Sequence, residues 1–201
     1  MPFTAELNER SRKTAILVAA RPVFIRYGYR KTSMDDVAKS ANVSRQGLYV
    51  HFARKEDLFR EMIDHGLRVH LHQARTLLAD ENLAIGQRLI AALIEWFGDK
   101  DQLGADSDLP QASMQLAGEI IRGHFEQFRT EIGRAIEASE LMSIYGARGL
   151  SAADITATLL ATAQGINSMA SSETFAARVT VAIAILTAPC PADPSGPLPR
   201  P

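Results

Sequence analysis

The stretch that decides the fold is TSMDDVAKSANVSRQGLYVHFARKEDLF, residues 32–59. Ser33 and Ser44 can each cap a short helix, because a serine hydroxyl accepts a backbone N–H at the open N-terminal end. Asn42 tolerates the left-handed backbone of a tight turn between the two helices. Two short helices joined by a turn of three or four residues form a helix-turn-helix.

The second short helix, predicted over 45–51, is slim enough to enter the major groove of DNA. Arg45 and Gln46 lie at its N-terminal end, where base edges are usually reached, and they can pair with guanine and adenine respectively. Gly47 has no side chain and would let the backbone come close to a base or a phosphate. These residues could otherwise be solvated helix residues, but their spacing on one short helix favours double-stranded DNA as the partner.

Phosphate contacts are expected from residues around the two short helices. Tyr49 and His51 can donate to phosphates, and the Lys55 ammonium, at the start of the next helix, could hold another. Tyr49 could instead be a core aromatic residue, and His51 a surface histidine without a partner. The complete set predicted to contact DNA is Thr32, Ser33, Ser44, Arg45, Gln46, Gly47, Tyr49, His51 and Lys55.

Charge is unevenly distributed along the chain. Residues 1–60 carry twelve lysines and arginines against six aspartates and glutamates, whereas residues 61–201 carry ten against seventeen. A basic segment attracts polyanions, although a solvated basic surface would have the same composition. The split favours two roles, one of them nucleic-acid binding, in a chain whose formal net charge is −1.

The composition excludes several classes of protein. Hydrophobic residues make up 46% of the 201 residues, which is too many for wholesale disorder. No apolar run reaches the roughly 18–20 residues that a membrane span needs, and the first residues lack the apolar stretch of a secretory signal. Cys190 is the single cysteine, so it cannot form an internal disulfide. We therefore expect a cytoplasmic protein that has no membrane partner.

Apolar residues outside the helix-turn-helix also recur at helical spacing, so we expect an all-α protein of about nine helices. A first helix should run over 10–27, end at Gly28 and kink at Pro22, because a proline inside a helix removes a hydrogen bond. Ser151 and Asp154 have the spacing of a capping box. The other helices are predicted over 34–41, 45–51, 55–78, 83–97, 111–143, about 151–170 and 173–188, with a loop at 98–110.

Four motifs within residues 19–58 resemble the tetracycline-repressor (TetR) family. They are AAxxxFxxxGY at 19–29, TSxxxVA at 32–38, ANVSxxxLYxHF at 41–52 and KExL at 55–58. The resemblance implies a dimeric, all-α transcriptional regulator, which in most members is a repressor. Two residues depart from the family pattern: Pro22 is unusual in the first helix, and Gly47 replaces a small side chain.

The resemblance also implies how the chain is divided. An N-terminal three-helix domain over 10–70 would bind DNA through its helix-turn-helix at 33–52, and a domain over 71–188 would bind a ligand and dimerise. The end of the chain, 189–201, is rich in proline and is expected to be a disordered tail.

In the last two predicted helices, the one over about 151–170 carries a stripe of small residues, with Ala153, Ala157, Ala161 and Gly165 at four-residue spacing. Such a helix pair could pack against its twin as a four-helix bundle about a two-fold axis. The pattern alone leaves a core within one chain as the alternative, and the resemblance favours the homodimer. The predicted interface residues are Ile155, Leu159, Thr162, Ile166, Phe175, Val179, Ile183 and Leu186.

In the family, a ligand pocket opens among the central helices. An apolar pocket with a few polar anchors would suit a small apolar or aromatic molecule, although each candidate could equally be a plain core residue. His124 in particular lies on an apolar helix face, where a satisfied core histidine is common. The candidates are Trp96, Phe97, Met114, His124, Phe125, Phe128, Met142 and Tyr145.

These observations predict a repressor that a small molecule releases from a palindromic operator. The alternative is a helical protein–protein adaptor with a vestigial helix-turn-helix. We expect no enzyme activity, because the chain has no nucleophile elbow, phosphate-binding loop or metal signature. No cofactor and no metal ion are expected either, since His70 and His72 point to different sides of a helix and His65 is too distant.

Overall fold

The computed structural model describes residues 2–98, 107–169 and 171–188. Every regular element in these ranges is helical, which confirms the all-α prediction. The helices are α1 (Pro2–Lys31), α2 (Met34–Ser40), α3 (Arg45–His51), α4 (Lys55–Leu78), α5 (Ile85–Phe97), α6 (Leu109–Glu137), α7 (Leu141–Tyr145), α8 (Ala152–Met169) and α9 (Ser172–Thr187), with a 3₁₀ turn at Gly146–Arg148. The predicted tail, 189–201, lies outside the described residues, as does most of the predicted loop at 98–110.

Contacts between residues divide the chain into two compact units. The first comprises Met1–Val69 and Gln102–His124, and the second comprises His70–Asp101 and Phe125–Pro201. The first unit therefore takes in the beginning of α6 as well as α1 to α3 and most of α4. Nothing in the sequence pattern separates this part of α6 from the rest of the helix.

The core of the first unit is built from aromatic and aliphatic side chains of α1 to α4. Phe24, Phe52 and Phe59 are fully buried, and the rings of Phe24 and Phe59 meet edge to face at 5.0 Å. α6 adds Leu109 and Ala112 to the same cluster. Burial of apolar area on this scale fixes the two short helices of the helix-turn-helix, which are too short to be stable alone.

Helix α1 breaks at Gly28, as predicted, and one further turn follows it to Lys31. The expected kink at Pro22 is wrong in its position, because the non-helical backbone angles of α1 lie at Gly28. Pro22 leaves the carbonyl of Val18 without its helical partner. Val18 lies on the exposed side of the helix, where water can take that place.

The core of the second unit joins α5 and α7 to α9 with the later turns of α6. The single helix predicted over 111–143 is in fact two, since α6 ends at Glu137 and α7 begins at Leu141. Ser139 separates them: its hydroxyl donates to the Ile136 carbonyl at 2.7 Å and accepts the Leu141 N–H at 3.3 Å. Serine competes in this way with the hydrogen bonds of the helix backbone.

The capping box predicted at the start of α8 is present. The Asp154 carboxylate accepts the Ser151 N–H at 2.9 Å, and the Ser151 hydroxyl accepts the Asp154 N–H at 3.2 Å.

Among the helices of the described residues, none combines the length and the apolar character that crossing a membrane requires.

Candidate nucleic-acid interface

The first helix of the helix-turn-helix, α2, begins with the capping box that the sequence indicates. The Ser33 hydroxyl accepts the Asp36 N–H at 3.2 Å, and the Asp36 carboxylate accepts the Ser33 N–H at 3.0 Å. The hydroxyl of Ser33 also donates to Asp36 at 2.6 Å. Hydrogen bonds from the side chain and then the backbone of Ser33 hold the pKa of Asp36 below its usual value.

The turn between α2 and α3 has the predicted backbone. Asn42 has φ 53°, the left-handed conformation that asparagine tolerates better than most residues. The Val43 N–H then donates to the Ala38 carbonyl at 3.0 Å, which closes the turn. Ser44 caps α3 by accepting the Gly47 N–H on its hydroxyl at 3.0 Å.

Two fully buried residues fix which face of α3 points outward. Leu48 and Phe52 both lie in the core of the first unit. Since an α-helix turns about 100° per residue, Gln46 and Val50 stand almost opposite Leu48. Both are exposed, and Val50 is exposed to 75%. The outermost point of α3 therefore combines an amide with an apolar side chain.

Val50 is absent from the predicted set of DNA-contacting residues, because that search considered mainly polar side chains. Its position two residues after the inward-facing Leu48 places it on the outer face of α3, and this could have been deduced from the sequence. An exposed valine beside a glutamine suits the floor of a major groove, where thymine presents a methyl group.

Arg45 and Tyr49 occupy one flank of this outer face, and both are exposed. The Arg45 guanidinium lies 3.2 Å from the Asp35 carboxylate, and its central carbon lies 5.7 Å from the centre of the Tyr49 ring. An ion pair this exposed contributes little stability. Arg45 can therefore exchange its carboxylate partner for another acceptor.

Gly47 and His51 occupy the opposite flank and are both half-buried. A Cβ at residue 47 would lie 3.1 Å from the Ser44 hydroxyl oxygen, which is tighter than an ordinary contact. The cap of α3 therefore favours a glycine at residue 47, in addition to the predicted close approach of the backbone to DNA. The imidazole of His51 lies 6.4 Å from the Phe52 ring, centre to centre.

Two of the predicted phosphate contacts need correction, because their polar groups are engaged inside the protein. Thr32 is only 2% exposed, and its hydroxyl donates to the Gly28 carbonyl at 2.7 Å. The Lys55 ammonium donates to the carbonyls of Tyr29 at 2.8 Å, Thr32 at 3.0 Å and Arg30 at 3.4 Å. Lysine satisfies the free carbonyls at a helix C-terminus in this way. Both side chains therefore stabilise the segment that leads into α2.

Comparison with known proteins finds a family whose model matches part of the chain. Residues 16–62 match the model of the bacterial regulatory proteins of the tetR family, a range that contains α2 and α3. This N-terminal region is therefore similar to the DNA-binding region of the tetR family.

Curated relatives match the chain mainly over the same region. The chain is 38% identical over 66 residues to the HTH-type regulator YfiR of Bacillus subtilis, an alignment that covers 33% of this chain and 32% of YfiR. It is 34% identical over 94 residues to the transcriptional activator FasR of Mycolicibacterium smegmatis, covering 45% and 41% respectively. The alignments thus span between a quarter and a half of these relatives.

Solved structures extend the likeness in fold along most of the chain. A TetR-family regulator from Mesorhizobium loti superposes with a TM-score of 0.69 at 18% identity, covering 88% of this chain and 95% of that one. A regulator from Saccharomonospora viridis in complex with choline gives a TM-score of 0.65 at 17% identity, covering 87% and 96%. At these identities the likeness concerns the fold alone.

The eight residues predicted to line a ligand pocket are divided between the two units. Met114 and His124 belong to the first unit, and the other six belong to the second. Trp96 stacks on the buried Phe128 at 4.5 Å, and the Phe97 ring lies 5.7 Å from that of Phe175. These aromatic side chains fill the interior between them, which is the plain-core alternative.

His124 has a partner of its own within the first unit. Its Nε2 lies 2.7 Å from a carboxylate oxygen of Asp64, and the residue is buried. This pairing accounts for one ring nitrogen. Among the described residues, no hydrogen-bond partner reaches the other, the buried Nδ1, so the core-histidine alternative is met only in part.

A cavity of about 450 Å³ does lie in the second unit. We call it the α8–α9 groove, since eight of its ten lining residues belong to those helices. Tyr145 is the one predicted pocket residue in its lining, and the Tyr145 hydroxyl donates to the Leu186 carbonyl at 2.6 Å. The lining residues are Tyr145, Leu150, Asp154, Ile155, Thr158, Leu159, Thr162, Ala182, Ile185 and Leu186.

Most of the predicted dimer-interface residues pack inside their own chain. Five of the eight are buried in the second unit's core, namely Ile155, Leu159, Phe175, Val179 and Ile183. Ile166 and Leu186 are half-buried, and Thr162 is exposed. The physical reason is that a helix pair uses its largest apolar side chains to cover its own core first.

The face that α8 and α9 leave exposed is different. It carries Val181 and Ile185 on α9, the latter 72% exposed, and the small residues Ala157, Ala161 and Gly165 on α8. Val181 and Ile185 lie one helical turn apart, so they form a continuous apolar edge. This exposed edge is available to a second copy of the chain, and so is the neighbouring groove, whose lining includes the predicted residues Ile155, Leu159, Thr162 and Leu186.

Proposed function

We propose that this chain is a DNA-binding transcriptional regulator that binds a palindromic operator as a homodimer. The observation that carries the proposal is the outer face of α3. Leu48 and Phe52 anchor that helix from within, while Gln46, Val50 and Arg45 are left exposed. The family match over this region and the excess of basic residues in 1–60 support the same function.

Sequence recognition is assigned to the outermost residues of α3. The Gln46 amide can pair with adenine, the Val50 methyl groups can contact a thymine methyl, and Arg45 can pair with guanine. Tyr49 and His51, at the flanks, are placed to donate to phosphates. Ser33, Ser44 and Gly47 serve the helix caps in the free protein, and their predicted contacts with DNA remain part of this proposal.

The homodimer is needed because one short recognition helix reads only a few base pairs. Two copies related by a two-fold axis read a palindrome when their helices are about 34–36 Å apart. We infer that the contact is made by the exposed edge of Val181 and Ile185 with the α8–α9 groove. Both are apolar, and they lie on the same two helices, so the surface can be self-complementary.

Release by a small apolar or aromatic ligand completes the proposal. Among the relatives, IcaR of Staphylococcus epidermidis is a negative transcriptional regulator of a biofilm operon, and FasR is an activator. For this chain we propose repression. A ligand would release DNA only if it binds the DNA-incompetent state more tightly. The choline found with the Saccharomonospora viridis regulator makes small cations a sensible second class to screen.

The decisive experiment measures binding of the purified protein to the DNA upstream of its own gene. Fluorescence anisotropy at several salt concentrations should show an affinity whose logarithm falls linearly with the logarithm of salt. Arg45→Ala should weaken binding and relax sequence preference, whereas Arg129→Ala, an exposed ion-paired arginine on α6, should leave it unchanged. Absent or salt-independent binding would contradict the proposal and favour the adaptor alternative.

A further inference from the structure

The segment that joins α1 to the helix-turn-helix is held by side chains from two other helices. Beside the break at Gly28, the Asp108 carboxylate accepts the backbone N–H of Tyr29 at 2.7 Å and that of Arg30 at 2.9 Å. Asp108 immediately precedes α6, and its chain position is 79 residues away from Tyr29. The Lys55 ammonium at the start of α4 binds the carbonyls of the same segment.

The backbone of Gly28 is adapted to this carboxylate. Gly28 has φ +78° and ψ 171°, a combination that is essentially restricted to glycine. A Cβ at this position would also collide with a carboxylate oxygen of Asp108. The turn therefore depends both on the absence of a side chain at residue 28 and on the acceptor that fills the space.

The carboxylate of Asp108 is charged in this arrangement. Burial raises the pKa of Asp108, but the hydrogen bonds from the Arg30 and Tyr29 backbone outweigh it and bring the pKa below its usual value. The Arg30 guanidinium adds an attraction from 3.8 Å. Two charge-assisted hydrogen bonds to adjacent N–H groups are stronger than neutral ones and fix the direction of the peptide.

We propose that Asp108 is a positioning residue for DNA binding, through which the N-terminus of α6 sets the orientation of the segment leading into the helix-turn-helix. This inference rests on the proposed function. The chain passes from Arg30 to Ser33, the cap of α2, within three residues, so a displaced Tyr29–Arg30 backbone displaces that cap. α2 in turn carries α3 through the closed turn at Asn42. Asp108 acts through the backbone and needs no contact with DNA.

The sign of one substitution distinguishes positioning from simple electrostatics. Asp108→Asn removes a negative charge and places an amide donor where one backbone N–H now donates. If Asp108 acted only by repelling phosphates, this variant would bind operator more tightly. Positioning predicts the opposite, a loss of about tenfold in operator affinity, which corresponds to about 1.4 kcal/mol.

The experiment uses the full chain and its own upstream DNA. Asp80→Asn is the matched control, since Asp80 also accepts a backbone N–H, that of Asn82 at 3.1 Å, but lies in the second unit. Absence of binding by the unmodified protein would defeat the proposed function itself. With normal binding by the unmodified protein, equal or tighter binding by Asp108→Asn would overturn the positioning role alone.

A second measurement needs no variant and therefore does not depend on how the variant folds. Amide hydrogen exchange in the unmodified protein should show the Tyr29 and Arg30 N–H groups protected, because both donate to Asp108. Rapid exchange of these two amides, at a rate typical of an open turn, would overturn the proposal.

Discussion

A methyl group at residue 28 tests two features of the turn, the positive φ of Gly28 and the space that the Asp108 carboxylate occupies. Its backbone angles cost about 1–3 kcal/mol for any other residue. A Cβ would in addition displace the Asp108 carboxylate, and loss of its charge-assisted bonds costs about 1.5–3 kcal/mol. Alanine lowers the entropy of the unfolded chain, which returns about 0.4–1 kcal/mol. Gly28→Ala should therefore destabilise the protein by about 3 kcal/mol.

Gly149→Ala is the matched control for this prediction. Gly149 also has a positive φ, 79°, but no heavy atom lies within 4 Å of the place its Cβ would take. Gly149→Ala should lower the free energy of unfolding only through the strain of the left-handed backbone, by about 1–2 kcal/mol, and the lower entropy of the unfolded chain offsets part of this loss as it does for Gly28→Ala. Guanidinium unfolding of both variants, followed by circular dichroism, gives the comparison. If Gly28→Ala lost no more stability than Gly149→Ala, the argument about Asp108 and the turn would be refuted.

Three further predictions concern the DNA surface, the dimer and acid stability. Val50→Ala should reduce operator affinity about tenfold without loss of stability. With an operator that has uracil in place of thymine, the variant and the unmodified protein should bind equally well. If the variant still binds this operator about tenfold more weakly, Val50 does not contact a thymine methyl group. Ile185→Glu should yield a monomer in sedimentation experiments. Ile183 is buried, so Ile183→Ala should instead lower the free energy of unfolding by about 2–5 kcal/mol. If Ile185→Glu is still a dimer, the exposed edge of Val181 and Ile185 is not the dimer contact. The pKa values of Asp36 and Asp108 are lowered in the folded protein, so both carboxylates stabilise it at pH values above their unfolded pKa of about 4, and this stability is lost as the pH falls through their folded pKa values. Asp108→Asn should therefore make the free energy of unfolding depend less on pH in the acid range. An unchanged pH dependence would contradict the role of Asp108.

The interface on α3 could be predicted in outline because it depends on short-range chemistry. The capping residues Ser33 and Ser44 lie three residues from the groups they bind, and the left-handed Asn42 is a property of one residue. The outer position of Val50 follows from helical geometry once Leu48 is known to face inward, but which side faces inward is decided by the rest of the core.

A sequence pattern decides least where a residue type suits two environments equally well. Ile155, Val179 and Ile183 are as suitable for a subunit interface as for a core, and only the packing of α5 and α9 shows that they are core residues. The aromatic residues assigned to a ligand pocket fill the second unit's interior for the same reason. Apolar surface is buried without directional preference, so composition does not distinguish these fates.

Most of the helices, their caps and the turn of the helix-turn-helix can be predicted from local sequence, since they depend on groups within about one helical turn of each other. The roles of Lys55 and Asp108 depend on the tertiary structure. Their partners, in Gly28–Thr32, lie 26 and 79 residues away in the chain. A charged side chain carries no mark of such a partner, because its preference for backbone N–H or C=O groups is satisfied equally well by water until folding brings the segments together.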